Sequence, residues 1–543
     1  MSDNFSSTAN KRTVLFESDS FEVVSIEWTA TSLSPEHNHG WSECSILVQE
    51  GVFENSANIG SKIEVQILEK GQVLNTPVGA KHSMRCLSQV GKTLHVYSPK
   101  IKELSDDGKF KIQNRDDLKS DLQLSQPTSF VELKKLIAKI QDHSVSTQSP
   151  YFMNQLFSGI SPQMLLAQDL ISQTKTTLAT QEASPAFSAI EAEVVEKLGE
   201  LIGWPQKSRD GVNVPGGSAA NFMAVHCARQ RLIPEIKTMG ISGQVFKIFV
   251  SAEAHYSFKK AGVVLGLGTE SVVSVPVDES GRMQPDKLDQ LIHEAKMQNA
   301  TPLLVAATAG TTVLGAFDPL DELATVCQKH SLWLHVDAAW GGPALFSKNL
   351  RSLMTGIAKA DSVTFDAHKL FGAAMTCSFF LTKHSGILIA ANDVSGGDYL
   401  FHSNDPNIDR GKLSWQCGRG ADAVSFWTIW KSFGTEGLGQ LVDGLINIRK
   451  QTQEWLKGQS RLELVAEPEF LNLCVRVKPP FELSKEDQSQ WSQKVRESLK
   501  ENNQAMVNYS TNKQGTFLRF IFAHPDLEFH HIQQVLQWAL AVK

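Results

Sequence analysis

The sequence predicts a multidomain protein with an N-terminal all-β domain, a large α/β domain and a small C-terminal α+β domain. Three observations lead to this prediction. Short apolar runs punctuated by Gly and Pro fill residues 13–100, and residues 105–128 are polar and charged. After them, helical and strand patterns alternate. We therefore place the domains at residues 1–104, 129–444 and 445–543, with a linker at 105–128.

Length and composition indicate a soluble, globular chain. It has 543 residues, a formal net charge of −6 and 41% hydrophobic residues. The mild negative charge argues against nucleic-acid binding, and no apolar stretch reaches membrane-spanning length. The N-terminus lacks the basic start and apolar core of a secretory signal. The seven cysteines have no paired spacing, so we expect a reducing compartment and a cytoplasmic protein.

The N-terminal region contains five apolar runs that predict strands. Several short strands within about a hundred residues are typical of a small barrel or jelly roll. The runs are Thr13–Phe16, Phe21–Trp28, Cys44–Val48, Ile63–Leu68 and Thr93–Tyr97.

The rest of the chain alternates helices and strands, which predicts a mainly parallel sheet covered by helices on both faces. The helical patterns are Phe130–Ile140 and Ala186–Ile202. The strand patterns are Phe246–Val250, Pro302–Ala307 and Leu332–Val336, with Phe470–Val477 and Thr516–Phe522 in the C-terminal domain.

A lysine and an aspartate in the large domain indicate cofactor chemistry. Lys369 lies in the run Asp366–Gly372 directly after His368, and Asp337 directly follows the apolar run Leu332–Val336. An aspartate after a buried strand is costly unless it has a partner, which favours a functional role. A lysine can hold the aldehyde of pyridoxal phosphate, and an aspartate can keep the pyridine nitrogen of that cofactor protonated.

Three further segments fit the same site. The run Pro215–Asn221 places glycines ahead of a helical pattern, where backbone N–H groups can bind a phosphate. The flat imidazole of His255 could stack on the cofactor ring, and Thr308 ends an apolar strand, where the sites of such sheets gather. For each segment taken alone, a glycine turn or a structural side chain is the plainer interpretation.

Together these motifs resemble the group II pyridoxal phosphate decarboxylases, the family of glutamate, aromatic amino acid and cysteine sulfinate decarboxylases, over about residues 126–543. The resemblance implies an aspartate aminotransferase-like (fold type I) domain and a homodimer with sites at its interface. It implies covalent cofactor attachment at Lys369, a pyridinium partner in Asp337, ring stacking by His255, phosphate contacts from Gly217, Ser218, Ala219 and His368, ring contacts from Thr308 and Ala339, and protonation of the substrate carbon by Tyr399. Asp366 departs from the family, because many relatives have asparagine there.

Expectations about the substrate follow from the same resemblance. In the family, the glutamine at Gln155 helps to bind the distal acid of the substrate. The arginine at Arg519 pairs with its α-carboxylate, and the two-pronged guanidinium suits that task. Phe157 resembles the cysteine sulfinate enzymes, whereas glutamate decarboxylases have a smaller polar residue there. Simple packing of Phe157 is the alternative interpretation.

Three histidines in the N-terminal domain suggest a metal site. His37 and His39 fall on one face of a strand pattern, and His82 ends a run that matches the second cupin motif. Neutral imidazoles on a small barrel suit Fe, Zn, Cu or Ni. Cys44 stands where the usual cupin has a glutamate ligand, so the pattern predicts a three-histidine site without a carboxylate.

Residues 10–100 resemble cysteine dioxygenase. Cys44 matches the cysteine that can form a thioether with a tyrosine, and His95 and Tyr97 lie in the run that matches a late strand of that family. Arg12 matches the arginine that binds the carboxylate of cysteine. The region is much shorter than a typical cysteine dioxygenase, so an inactive cupin with a structural role is the alternative.

The two resemblances together imply a bifunctional enzyme of hypotaurine and taurine synthesis. The first domain would use Fe(II) and O2 to convert L-cysteine to cysteine sulfinate, and the second would use pyridoxal phosphate to decarboxylate that product to hypotaurine. Two alternatives remain open. One is a monofunctional decarboxylase of cysteine sulfinate, aspartate or glutamate with a structural N-terminal domain. The other is a decarboxylase regulated by a metal-sensing cupin.

Overall fold

The chain folds around separate cores in two units, Met1–Lys109 and Phe110–Lys543. The computed structural model describes residues 10–17, 22–34, 43–59, 62–76, 81–98, 118–119, 121–125, 127–241, 243–402 and 408–543. Among these residues, no helix combines the length and the apolar character needed to cross a membrane.

The first unit is built from antiparallel strands. Five of them form a sheet in the order β1-β2-β8-β3-β6, and three form a second sheet in the order β5-β4-β7. The strands are β1 (Asn10–Glu17), β2 (Glu22–Thr29), β3 (Glu43–Glu50), β4 (Phe53–Ile59), β5 (Lys62–Leu68), β6 (Val73–Thr76), β7 (Lys81–Cys86) and β8 (Val90–Ser98).

One hydrophobic core serves both sheets of the first unit. Val24, Ile26 and Trp28 alternate along β2 and point inward with Phe53 of β4 and Met84 of β7. All five predicted strands are present, and the expected all-β character is confirmed for the described residues. The sequence did not predict β4, β6 and β7, because polar residues such as those of Lys81–Cys86 interrupt their apolar pattern.

The second unit contains a seven-stranded sheet in the order β10-β16-β15-β14-β13-β11-β12. The strands are β10 (Asp210–Pro215), β11 (Phe246–Ser251), β12 (Val272–Val275), β13 (Thr301–Thr308), β14 (Trp333–Asp337), β15 (Ser362–Asp366) and β16 (Cys377–Thr382). Strands β11 to β15 are parallel, as predicted, whereas β16 runs antiparallel to both of its neighbours.

Helices cover both faces of this sheet. Val305 and Ala307 of β13 belong to one hydrophobic core, and Leu304 and Ala306 belong to another. Burial on both faces explains why β13 is a continuous apolar run. The helices before and among these strands are α1 (Phe130–Asp142), α2 (Pro162–Thr174), α3 (Pro185–Ile202), α4 (Gly217–Leu232), α5 (Ile236–Met239), α6 (Ser257–Val264), α7 (Pro285–Met297), α8 (Leu320–His330) and α9 (Ile387–Asn392).

The C-terminal part of the second unit has its own five-stranded sheet in the order β17-β18-β20-β19-β9. Its elements are α10 (Ala423–Leu456), β17 (Leu462–Leu464), β18 (Asn472–Val477), α11 (Lys485–Glu501), β19 (Met506–Asn512), β20 (Gly515–Ile521) and α12 (Phe529–Ala541). The edge strand β9 (Phe152–Met153) comes from far upstream and pairs parallel to β19. The domain boundary expected at residues 444 and 445 falls inside α10.

Part of the segment predicted to be a linker is ordered against the second unit. Leu118 is buried, and Nζ of Lys139 in α1 lies 2.6 Å from Oδ2 of Asp121. Residues 105–117 lie outside the described residues.

Candidate active site

Several predicted cofactor residues of the second unit gather at one edge of the seven-stranded sheet. Thr308 and Asp337 end the neighbouring parallel strands β13 and β14 and are paired in register. Asp366 ends β15, and Lys369 follows it in the turn before β16. His255 lies in the loop after β11. The carboxyl ends of parallel strands meet at one edge, so this arrangement forms a typical α/β site.

Asp337 is buried and held by two hydrogen bonds. Its side chain accepts a bond from Nδ2 of Asn221 at 2.7 Å and one from the backbone N–H of Ala339 at 3.1 Å. The residue is 5% exposed. A carboxylate has about four acceptor positions, so Asp337 retains the capacity to accept a bond from a protonated ring nitrogen.

Lys369 is paired with a second buried carboxylate. Its Nζ lies 3.0 Å from Oδ2 of Asp366, and Oδ1 of Asp366 accepts a bond from the hydroxyl of Ser378 at 2.6 Å. The Lys369 side chain keeps 21% exposure, so the amine can be reached from outside. Nδ1 of His368 donates to the backbone carbonyl of Cys377 at 2.9 Å, which holds the imidazole beside the lysine turn.

A glycine turn leads into α4 next to these groups. Gly216 has φ of +98°, a conformation that favours glycine, and α4 begins at Gly217. A Cβ added to Gly217 would stand 2.7 Å from Oδ2 of Asp366, so a larger residue there would displace the carboxylate that pairs with Lys369. Ser218 and Ala219 follow in the first helical turn, where the helix dipole favours an anion.

His255 is held neutral beside the site. Its Nδ1 accepts a hydrogen bond from the backbone N–H of Ser257 at 3.3 Å, which leaves the hydrogen on Nε2. Burial lowers the pKa of His255; the charge of Asp337 opposes this effect and the charge of Lys369 adds to it. A neutral, flat imidazole can stack on an aromatic ring.

These residues fit pyridoxal phosphate on structural grounds. The hydroxyl oxygen of Thr308 is buried without a hydrogen-bond partner among the described residues. Buried polar atoms in folded proteins nearly always have such a partner. The same edge of the sheet carries an accessible amine on Lys369 and a carboxylate with spare acceptor capacity on Asp337, and α4 begins nearby at Gly217. The donor set therefore matches an aldehyde, a pyridine ring and a phosphate.

Arg519 joins the C-terminal sheet to the segments around the site. It lies in β20 and donates to the backbone carbonyls of Thr312 and Asn154, each at 2.8 Å. Its Nε is buried without a partner among the described atoms, and burial lowers the pKa of the guanidinium. The neighbouring Gln155 is exposed, and Phe157 is half-buried against Phe152 with ring centroids 6.1 Å apart.

Tyr399, like Gln155, is a predicted site residue with an exposed side chain. It follows α9, just before residues 403–407, which lie outside the described part of the chain. Its side chain is 80% exposed. A role in proton delivery therefore stays a prediction.

The first unit contains a buried polar cluster at the residues predicted from its motifs. Sγ of Cys44 lies 3.7 Å and the hydroxyl of Tyr97 lies 3.3 Å from Nδ1 of His95. Burial raises the pKa of Cys44, and a hydrogen bond from Tyr97 opposes that effect. Nε2 of His95 bonds to the hydroxyl of Thr93 at 2.9 Å. The cluster therefore brings together three side chains that sequence reasoning had grouped.

The predicted metal ligands cannot be assembled from the described residues. His82 is buried in β7 with its Nδ1 2.8 Å from Oδ1 of Asn55, whereas His37 and His39 lie outside the described part of the chain. Among the residues that are described, no group of three or more metal-binding side chains occurs. Arg12, predicted to bind a carboxylate, donates at 2.6 Å to Glu22, so it has an internal carboxylate partner.

Two residues at the site were not singled out from the sequence. Asn221 closes the run Pro215–Asn221 and donates to Asp337, and His335 precedes Asp337 by two residues and contacts Asn221. Both lie within motifs quoted above, and a polar residue in an otherwise apolar stretch was the signal that could have revealed them.

Comparison with known proteins identifies relatives of the second unit. The profile of the pyridoxal-dependent decarboxylase conserved domain matches residues 116–478. Cysteine sulfinic acid decarboxylase of Mus musculus is 39% identical over 420 residues, which cover 75% of this chain and 85% of the relative. Acidic amino acid decarboxylase GADL1 of Bos taurus is 42% identical over 353 residues, which cover 64% and 67%. The crystal structure of mouse CSAD superposes with a TM-score of 0.77 at 36% identity, over 81% of this chain and 95% of that chain.

Proposed function

We propose, since the chain belongs to the pyridoxal-dependent decarboxylase family, that it removes the α-carboxyl group of an acidic amino acid, with cysteine sulfinate as the preferred substrate. The observation that supports this most directly is the placement of Lys369 and Asp337 at the carboxyl edge of the same sheet, with the Gly217 turn against Asp366. That set of groups suits pyridoxal phosphate. The cofactor, when bound, supplies an electron sink for the electrons left by the departing carboxylate.

In this proposal the chain holds the cofactor at three points. Lys369 binds its aldehyde, the first turn of α4 at Gly217 binds its phosphate, and Asp337 accepts a hydrogen bond from its ring nitrogen. His255 covers the ring with its neutral imidazole. Asp366, which pairs with Lys369 at 3.0 Å, keeps the free amine oriented towards the sheet edge.

Other residues act on the substrate. Arg519 is rigidly placed by two backbone carbonyls, and we assign its remaining guanidinium surface to the α-carboxylate. We assign Gln155 and Phe157 to the distal acid. Tyr399 would deliver a proton to the substrate carbon after its loop closes and excludes water.

The choice of cysteine sulfinate rests on the relatives. Those with names that specify a substrate are cysteine sulfinic acid decarboxylases at 39% identity, and the GADL1 proteins are named for acidic amino acids as a class. The phenylalanine at position 157 also resembles the cysteine sulfinate decarboxylases. Aspartate and glutamate are therefore the competing substrates.

The test is a substrate comparison with the purified, cofactor-loaded chain. We expect the highest kcat/KM with cysteine sulfinate, lower values with aspartate and glutamate, and no turnover by Lys369→Ala. Lys197→Ala is the matched control, because Lys197 is an exposed lysine in α3 that pairs with Glu200. Equal activity in Lys369→Ala and wild type would refute the assignment of the site.

We also propose a homodimer and a cytoplasmic location. Each of the thirteen residues of α1 is at least partly exposed, including Phe130, Val131 and Ile137, and a second copy of the chain would cover such a face. All seven cysteines are free thiols, which suits a reducing compartment. Sedimentation of the purified protein at twice the chain mass would support the dimer, and a monomer at all concentrations would contradict it.

A second candidate function, for the first unit, is Fe(II)-dependent oxidation of L-cysteine by O2 to cysteine sulfinate. The observation that favours it is the buried cluster of Cys44, His95 and Tyr97. The pairing of Arg12 with Glu22 weighs against this function, because the Glu22 carboxylate binds the guanidinium that would otherwise bind the carboxylate of cysteine. A structural or metal-sensing unit is the simpler interpretation, and it leaves the decarboxylase as the sole activity.

One experiment separates these interpretations. The full chain is given L-cysteine, Fe(II), pyridoxal phosphate and air, and O2 uptake and products are measured. Hypotaurine that is lost in His82→Ala, and replaced by cysteine sulfinate in Lys369→Ala, would establish both activities. Unchanged cysteine, from protein that decarboxylates added cysteine sulfinate, would leave the first unit without the oxidising activity.

A further inference from the structure

Asp337 stands at one end of a chain of buried hydrogen bonds. Nδ2 of Asn221 donates to Asp337 at 2.7 Å, and Oδ1 of Asn221 lies 3.0 Å from Nε2 of His335. Nδ1 of His335 lies 2.8 Å from the hydroxyl of Ser362, which accepts a bond from Nε1 of Trp333 at 2.8 Å. The chain runs from Trp333 through Ser362, His335 and Asn221 to Asp337.

The charge of Asp337 fixes each proton in this chain. An ionised carboxylate only accepts, so Asn221 must turn its amide nitrogen towards Asp337 and its amide oxygen towards His335. Nε2 of His335 must then carry the hydrogen, and its Nδ1 must accept. The hydroxyl of Ser362 can donate to Nδ1, because the indole N–H of Trp333, which is only a donor, supplies the other bond to that oxygen.

The surroundings of His335 preserve this arrangement. The ring is fully buried between Phe258 and Phe380, with centroid distances of 6.0 and 6.4 Å. Burial lowers the pKa of His335 to about 3, so the ring stays neutral. The hydroxyl of Thr364 donates to Oδ1 of Asn221 at 2.8 Å and provides a second donor that opposes rotation of the amide.

We infer that Asn221 and His335 are positioning residues that keep Asp337 an ionised acceptor opposite the pyridine nitrogen. The inference rests on the proposed function, because it takes Asp337 as the partner of that nitrogen. Without the donor on His335, the Asn221 amide is held at its oxygen only by Thr364, and at its nitrogen by Ser257 as well as Asp337. A rotated amide, which presents its oxygen to Asp337, then becomes more populated. Two oxygens at 2.7 Å need a proton between them, so Asp337 would hold a proton that should lie on the ring.

The test uses full-length protein loaded with pyridoxal phosphate that carries an isotope label at the ring nitrogen. The NMR shift of that nitrogen reports whether it is protonated. In His335→Leu we expect the NMR shift of the ring nitrogen to move towards the unprotonated value. We also expect kcat to fall by about 10- to 100-fold with little change in KM, since that is the range known for the outer partners of metal ligands. His335→Gln retains an amide N–H and should restore part of the shift.

The matched pair Thr364→Val and Thr452→Val controls for the loss of a buried hydroxyl. Both threonines are fully buried, but Thr452 donates only to the carbonyl of Ile448 within α10. We expect a partial shift in Thr364→Val and the wild-type shift in Thr452→Val. Thr364→Val also carries the test if His335→Leu does not fold.

The outcomes separate the inference from the proposed function. A ring nitrogen that stays protonated in His335→Leu, or in Thr364→Val if His335→Leu does not fold, would overturn the inference. An unprotonated nitrogen in the wild type, or a wild type that does not bind the cofactor, would also overturn it. A wild type that binds the cofactor but decarboxylates no acidic amino acid would refute the proposed function, and the comparison of ring nitrogens would still support or overturn the positioning role.

Discussion

Loss of the negative charge of Glu191 should destabilise the second unit strongly. This residue of α3 is fully buried, and its carboxylate accepts bonds from Arg419 at 2.6 and 3.2 Å and from the backbone N–H of Asn213 at 2.7 Å. Nε of Arg410 lies 3.1 Å away. The carboxylate thus joins α3 and β10 to the segment that follows the Tyr399 loop.

The magnitude follows from the two arginines that would be left. Removing one partner of a buried ion pair costs about 3–5 kcal/mol. The second unit has about 430 residues, and at ~2.1 cal/mol/K per residue its unfolding entropy is ~0.9 kcal/mol/K. Glu191→Leu should therefore lower Tm by about 3–6 °C. Glu191→Gln should fall at the lower end, because its oxygen can still accept from Asn213.

The pH dependence gives an independent check of the same reasoning. Burial opposes ionisation of Glu191, but Arg410 and Arg419 together outweigh it and lower its pKa below the ordinary value of 4.5. A carboxyl with a lowered folded pKa stabilises the protein above its unfolded pKa, and that stabilisation is lost as pH falls through the folded pKa. The difference in Tm between wild type and Glu191→Gln should therefore shrink in acid.

Scanning calorimetry of the cofactor-loaded protein near neutral pH measures the effect. Glu200→Gln is the matched control, because Glu200 lies in the same helix but is exposed and pairs with Lys197. We expect no change in Tm for this control. If Glu191→Leu lowers Tm no more than Glu200→Gln does, the assignment of Glu191 as the buried counter-charge is wrong.

Three further changes test the site. Gly217→Ala should weaken pyridoxal phosphate binding roughly tenfold, or ~1.4 kcal/mol, because its Cβ would stand 2.7 Å from Asp366; a fluorescence titration with unchanged Kd would contradict this. Asp318 accepts the backbone N–H of Thr308 at 2.7 Å, and burial raises its pKa from 3.8 to about 7. Its contribution to stability is therefore full below pH 3.8 and is lost as the pH rises to about 7. The advantage of wild type over Asp318→Asn in Tm should shrink over that range, and a constant difference would count against the raised pKa. Phe157→Ser should reduce the preference for cysteine sulfinate over glutamate about tenfold in kcat/KM, and an unchanged ratio would mean that Phe157 only packs.

Much of the second unit could be predicted from the sequence because its strands are buried on both faces. Thr301–Thr308 is almost wholly apolar, and helical patterns between such runs indicate a parallel sheet. The direction of Cys377–Thr382 could not be predicted, because that strand is equally apolar and its antiparallel course depends on the turn after Lys369. Strand Phe152–Met153 has two residues, too few to show any period.

The site shows a similar division. Asp337 could be found because a charged residue at the end of an apolar strand is unusual. Lys369 could be found because it follows His368 in a run that comes after the glycine run, His255 and Asp337 in the order of the family motifs. The bond from Asn221 to Asp337 spans 116 residues of sequence, so no local pattern contains it. Arg519 could be assigned to a carboxylate by resemblance, but its two carbonyl partners depend on the packing of distant segments.

The bond between Arg519 and the carbonyl of Asn154 joins residues 365 positions apart, and it has a consequence for biosynthesis. At a synthesis rate of about 5–20 residues per second, roughly 20–70 seconds separate the appearance of the two residues. During that interval the segment that carries Gln155 and Phe157 has neither this arginine nor strand β19 to pair with. A nascent chain can therefore form the seven-stranded sheet and the turn that carries Lys369 well before it can bind a substrate. If synthesis stops early, the released chain should bind the cofactor but should not select an amino acid.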